Sequence, residues 1–157
     1  MFSGAYIAKL DSKGRISFPS QLKRQMSEIE LESGFVVQKN KYANSLNLYT
    51  KLNWDNINKD LLKKINPAIS AKHDEFIRLL NFGVEPIFFD GSFRIIVPKN
   101  LLKSIGATSE IALSGQANRI EIWSKDEYEK RLYNNTDSAD FENLTKELFG
   151  ENPIFNS

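Results

Sequence analysis

The stretch Leu10-Asp11-Ser12-Lys13-Gly14-Arg15-Ile16-Ser17-Phe18-Pro19 returns 79 residues later as Phe89-Asp90-Gly91-Ser92-Phe93-Arg94-Ile95-Ile96-Val97-Pro98. In both copies an apolar residue precedes an Asp, an Arg follows four positions after it, and a Pro follows four positions after the Arg. Asp11-Ser12-Lys13-Gly14 is turn chemistry, and Arg15-Ile16-Ser17-Phe18 alternates polar and apolar as a half-buried strand does. Pro19 cannot donate a ladder hydrogen bond, but its fixed φ suits the first turn of a helix. Leu22 and Met26 then stand four apart on one helix face. The second copy obeys the same grammar: Ile87-Phe88-Phe89 leads into its turn, a short helix follows Pro98, and Gly106 caps it.

The likeness extends beyond the motif. Asn44 to Trp54 (NSLNLYTKLNW) aligns with Asn118 to Tyr128 (NRIEIWSKDEY), now at an offset of 74. The five-residue difference is expected between the motif and the second hairpin, in the helix-to-strand connection. Agreement over two segments makes this an internal duplication. Each unit reads as ββαββ, with Phe35-Val36-Val37 and Leu46 to Tyr49 forming the later strands of the first. The domains are expected at 1–51 (first unit), 52–83 (helical connector), 84–124 (second unit) and 125–157 (C-terminal helices and tail). The connector holds two helices, from Leu52 to Ile65 and from Pro67 to Leu80, with apolar residues at helical spacing.

Composition restricts what such a chain can do. It has 157 residues, 41% of them hydrophobic, no Cys and one His. Disulfides, thiolate metal sites and cysteine nucleophiles are excluded. His73 has no spaced partner for a metal site or a triad, and neither a Walker loop nor a dinucleotide fingerprint is present, so no cofactor is expected. Neither a membrane-crossing run nor a signal-peptide pattern is evident, and a cytoplasmic location is the expectation. The net charge of +1 conceals a polarity: residues 1–27 carry five Lys and Arg against Asp11 alone, whereas residues 126–157 carry eight acids against three bases. One end can attract an anion while the other keeps the chain soluble.

Asp11 and Asp90 are read first as loop-shaping residues, their carboxylates accepting N–H bonds at their own corners, together with Gly14 and Gly91. Arg15 is open to two readings, an internal ion pair with Asp11 or a planar fork for phosphate or guanine. A hydrolase built on two Asp-bearing lobes is a third reading of the duplication. The turns lack the Asp-Ser/Thr-Gly order, and Lys13 and Arg15 oppose the shared proton such a dyad needs.

The two Asp-x-x-x-Arg phrases, each within strand, turn, strand, Pro and helix, together with Asn118 to Trp123, resemble the MraZ family of bacterial transcriptional regulators over about Met1 to Leu132. The resemblance implies an α+β fold: two tandem swapped-hairpin units, similar to those of AbrB-type regulators, forming a pseudo-dimeric β-barrel with peripheral helices. It also implies a nucleoid-associated repressor that binds double-stranded DNA at direct promoter repeats of the division and cell-wall gene cluster, its own gene included, as a homo-oligomeric ring. The implied DNA-binding residues are Lys9, Lys13, Arg15 and Arg94. The second copy departs from the family pattern, with Phe93 in place of Gly and Ser92 in place of Lys13. The expectation is that a bulky Phe93 disfavours positive φ and that the first copy carries most of the DNA contact. An antitoxin-like or scaffold protein, gripping a partner through Pro153-Ile154-Phe155, is the alternative reading.

Overall fold

A computed structural model describes residues 1–134 and 138–150. In chain order the elements are β1 (Ala5–Lys9), β2 (Arg15–Ser17), α1 (Ser20–Lys23), α2 (Glu28–Ser33), β3 (Phe35–Lys39), β4 (Leu46–Thr50), α3 (Lys51–Lys64), α4 (Ala71–Asn81), β5 (Glu85–Ile87), β6 (Arg94–Ile96), α5 (Lys99–Ser104), β7 (Glu110–Gln116), β8 (Arg119–Ser124), α6 (Lys125–Asn134) and α7 (Ser138–Phe149). Residues 1–125 form one compact unit and those from Asp126 onward a second. In the second unit, Arg131 and Leu132 of α6 and Asp140, Asn143, Leu144 and Glu147 of α7 line a common groove.

Six strands make an antiparallel sheet in the order β1-β7-β8-β4-β3-β5, and β2 pairs with β6 in a separate two-stranded ribbon. The order reads the same from both ends once each strand is exchanged for its duplicate. β1 of the first half lies on the β7–β8 hairpin of the second, and β5 of the second lies on the β3–β4 hairpin of the first. The topology is thus swapped-hairpin-like, but the expected barrel is absent: the six-stranded sheet is open, with β1 and β5 at its edges. Closure would need those edges to pair onward. β2 and β6 are three residues each and are engaged with one another, and β5 carries Pro86, which has no N–H to donate.

The registers also relocate the missing residues. Tyr6 pairs with Leu113 as Glu85 pairs with Val37, so Val37 and Leu113 are equivalent at an offset of 76. Three residues are therefore lost between motif and hairpin (79 to 76) and two inside the hairpin turn (76 to 74), where Ala117 bends with φ 58°. The first half uses its longer connection to build α2. Ser27 Oγ accepts from the Glu30 N–H while the Glu30 carboxylate accepts from the Ser27 N–H, a capping box.

The core lies between the ribbon and one face of the sheet. Ile16 and Ile95, paired across β2 and β6, are fully buried with Leu22, Val37, Leu48, Ile111, Leu113, Ile120 and Ile122. On the opposite face a polar row crosses the sheet in register, Gln38-Asn47-Glu121-Ser114. Glu121 is satisfied there by Arg119 Nη2 (3.1 Å), Asn40 Nδ2 (3.1 Å) and Trp123 Nε1 (3.3 Å). Tyr49 packs on Trp54 of α3, whose first turn is capped by Thr50 Oγ1. α4 starts at Ala71, later than Pro67, with Ser70 as its cap; the His73 ring takes a local role, accepting the Asn66 N–H at 2.9 Å.

Because Ile16 and Ile95 share one sealed contact, Ile16→Ala and Ile95→Ala should each cost about 3 kcal/mol. Their double substitution should depart from additivity by more than about 0.5 kcal/mol. Urea unfolding of the four proteins measures both; strictly additive losses would mean the two halves do not share this contact.

Candidate functional site

The two motif loops are built alike. Asp11 Oδ1 accepts the backbone N–H groups of Lys13 (2.9 Å) and Arg15 (2.8 Å), and Asp11 Oδ2 accepts from Arg15 Nε (2.5 Å). In the second loop Asp90 Oδ1 accepts from Ser92 (2.8 Å) and Arg94 (3.0 Å), and Oδ2 from Arg94 Nε (2.9 Å). Gly14 donates its N–H to the Asp11 carbonyl as Phe93 does to that of Asp90, both at 3.1 Å.

Gly14 and Phe93 are equivalent, and both hold positive φ, at 78° and 54°. Phe93 adopts positive φ although its bulk disfavours it. The loop imposes the conformation, and Phe93 is held by edge-on packing against Phe89, 5.6 Å between centroids. Gly14 has the stricter requirement, since a Cβ there would stand 2.8 Å from the Val97 carbonyl oxygen. Gly91, by contrast, adopts no left-handed conformation, and a Cβ there would meet open space.

The structure shows the first reading of Arg15, the internal ion pair with Asp11. Its Nε is committed to Asp11, while among the described residues neither Nη of Arg15 or Arg94 has a protein hydrogen-bond partner. The carboxylate thus fixes the guanidinium plane and leaves its terminal edge for a ligand. The register places the two arginines on one surface. Arg15 faces Ile96 and Ser17 faces Arg94 across the ribbon; these four share its outer face, while Ile16 and Ile95 occupy the inner one. Arg15 and Arg94 are diagonal neighbours, with Cα atoms roughly 7–8 Å apart by strand geometry.

Lys13 belongs to the first loop. Lys9 ends β1, opposite Glu110, and lines a different groove with Ser17, Pro19 and Gln21. Two further cations escape notice in the sequence: Lys99 and Lys103 of α5 line a groove of about 340 Å³ with Leu10, Asp11, Ser12 and Gly14. They belong to the second half of the chain yet serve the loop of the first. The available signal was their place just after Pro98, but using it requires knowing which helix crosses which loop.

The Asp11 carboxyl is lowered from 3.8 to about 2, chiefly by the Arg15 backbone N–H, against opposing desolvation, with further help from the Arg15 side chain and the Lys13 N–H. Asp90 is lowered for corresponding reasons. Each carboxylate has both oxygens engaged by N–H groups of its own loop, an arrangement that opposes the shared proton of the two-lobe hydrolase reading. Among the described residues no group of three or more His, Asp or Glu could hold a metal, and no helix is long and apolar enough to cross a membrane. The tail Pro153-Ile154-Phe155, on which the partner-gripping reading rests, lies outside the described residues.

An internally duplicated, swapped-hairpin-like α+β protein with two Asp-braced arginines on one β-ribbon is what the fold and loops define. The family model described as "MraZ protein, putative antitoxin-like" matches residues 1–75 and 84–152, and the chain belongs to this family. It is similar to the Transcriptional regulator MraZ of Christiangramia forsetii, 36% identical over 149 residues covering 94% of this chain and 92% of that one. The protein of the same name from Flavobacterium psychrophilum is 37% identical over 147 residues, 94% and 90% of the two chains. That of Clostridium tetani is 32% identical over 148 residues, 94% and 96%. These relatives bear the name of a regulator, in agreement with a protein that is not an enzyme.

Since the Asp11 pKa is depressed by folding, its contribution to stability is complete above about pH 4 and lost as pH falls through about 2. The urea midpoints of wild type and Asp11→Asn should therefore differ by a constant amount from pH 7 to pH 4 and converge towards pH 2. A gap unchanged at pH 2 would mean that the carboxylate is not held by its loop.

Proposed function

We propose that this protein is a sequence-specific, double-stranded-DNA-binding transcriptional regulator, acting as a repressor of the division and cell-wall gene cluster that includes its own gene. The observation that carries the reading is the shared outer face of the β2–β6 ribbon, with Arg15 and Arg94 braced by Asp11 and Asp90 and their Nη edges unpaired within the described protein. The major groove of B-DNA, about 12 Å wide, admits a two-stranded ribbon, and an Arg fork matches guanine O6/N7 or a phosphate. Lys13 extends the charge of the first loop, Lys99 and Lys103 flank it, and Lys9 adds a cation at the edge of the sheet. Loop 1 therefore takes the larger share of the contact. The names of the relatives support the same reading.

A chain of net charge +1 that brings only a few cations to the ribbon and its loops binds one site weakly. Several copies joined in a ring, each engaging one direct repeat, bind at high effective concentration, so that avidity replaces net charge. The protein works in the cytoplasm at the nucleoid, with no small-molecule cofactor.

Fluorescence anisotropy with the duplex upstream of the protein's own gene tests this. Arg15→Ala should weaken binding by about 1–3 kcal/mol, a factor of roughly 5–150, and Arg94→Ala by less. Affinity should rise steeply from one repeat to three. No preference over unrelated duplex, or equal affinity for one and three repeats, would count against specific binding and against the ring respectively.

A further inference from the structure

The internal two-fold relates Lys23 of α1 to Leu102 of α5, Phe93 to Gly14 and Ser92 to Lys13, all at the offset of 79. At the first loop, buried Leu102 lies over Gly14, its Cδ1 3.4 Å from where a Cβ would stand. At the second loop the relation is inverted. The Phe93 side chain fills that place, and the Lys23 ammonium sits 3.3 Å from the centroid of its ring.

Three departures from symmetry thus meet at one point. The second loop has Ser92 where the first has a lysine, it has a ring where the first has none, and the helix crossing it brings a cation where the other brings a leucine. The ring is a fixed platform: Phe89 packs edge-on against it at 5.6 Å and itself packs against Phe18 (5.2 Å) and Phe35 (5.3 Å). An ammonium over an aromatic face is held by the ring quadrupole, and its charge is not cancelled as a carboxylate would cancel it. Among the described residues no carboxylate lies within 4 Å of Lys23. Phe93 is 41% exposed and Lys23 is partly exposed, so the seated cation stays open to solvent beside the loop that carries Arg94.

We propose that Lys23, seated on Phe93, is a phosphate-binding residue of the second loop, supplied by the first half of the chain in place of the lysine absent at Ser92. This rests on the DNA-binding reading above.

The test is the slope of log affinity against log salt for the promoter duplex, measured for wild type, Lys23→Met, Lys23→Arg, Phe93→Gly and the double variant Lys23→Met/Phe93→Gly, with Arg15→Ala as control. Met preserves an apolar stem over the ring, so packing is retained while the charge is lost. Lys23→Met should weaken binding at low salt and flatten the slope by about 0.9 for each engaged subunit, whereas Lys23→Arg should keep the slope of wild type. Phe93→Gly suits the positive φ, and in its background Lys23→Met should cost less than in wild type, the coupling expected of two groups in contact. A slope unchanged in Lys23→Met, with Arg15→Ala still impaired, would overturn the assignment and leave DNA binding standing. If Arg15→Ala is also unaffected and the promoter is not preferred over unrelated duplex, the binding reading fails and takes this one with it.

Discussion

Neither motif strand has a ladder partner in its own half of the chain. Among the described residues Arg15 to Ser17 pair only with Arg94 to Ile96, and the ribbon is closed at both ends by reciprocal bonds, from Phe18 N to the Phe93 carbonyl (3.1 Å) and from Val97 N to the Gly14 carbonyl (3.0 Å). A three-residue strand left alone would bury unpaired backbone groups, each costly without a partner. This pairing therefore obliges the halves to fold together, and the rest follows from it. The period of two sends Ile16 and Ile95 inward to the core and both arginines outward to the same surface. The exchange of β1 and β5 between the hairpins has the same cause, since each precedes a motif strand that must reach across.

Such obligate pairing explains why the repeat is legible while its closure is not. The phrase Asp-x-x-x-Arg-x-x-x-Pro, the alternation around Ile16 and the helix-favouring Pro19 and Pro98 are local chemistry, and they mark turn, strand and helix correctly. Whether the strands close into a barrel depends on edges: on Pro86, on the shortness of β5, and on the engagement of β2 and β6 with each other. None of these is local. The five-residue gap shows the same limit, because alignment of the last strands alone assigns the whole difference to one connection, whereas the cross-strand registers divide it three and two. Helix α2 is a different case: Ser27-Glu28-Ile29-Glu30 is a readable capping box, but only one copy of the repeat contains it.

The candidate site was legible through Arg15, Arg94 and Lys13 and not through the lysines of α5. Asp11 and Arg15 are close in sequence, and turn chemistry alone predicts that the carboxylate shapes the loop. The geometry then makes one interaction serve two purposes: the bond from Arg15 Nε to Asp11 both closes the loop and aims the guanidinium. Lys99 and Lys103 are 84 residues or more from Arg15 in the chain and meet its loop only through the swap. A count of net charge near each motif overlooks them, because each loop borrows cations from the helix of the other half.

Joining the two halves in one chain also allows what two identical chains could not. In a symmetric homodimer every substitution appears twice, and a residue on the axis faces its own copy. Here the axis of the six-stranded sheet passes between Asn47 and Glu121, direct cross-strand partners equivalent at the offset of 74. Two glutamates at this place would oppose like charges on a buried face, and two asparagines would leave Arg119 without a counter-charge. One of each, with Arg119 reaching Glu121 at 3.1 Å and Asn47 at 3.1 Å, satisfies the centre. The motif loops obey the same logic. Gly14 under Leu102 and Phe93 under Lys23 are two solutions to one packing problem, and a homodimer would have to adopt the same one on both sides. The fused chain keeps the two-fold frame that aligns its arginines while allowing the surroundings of each to diverge.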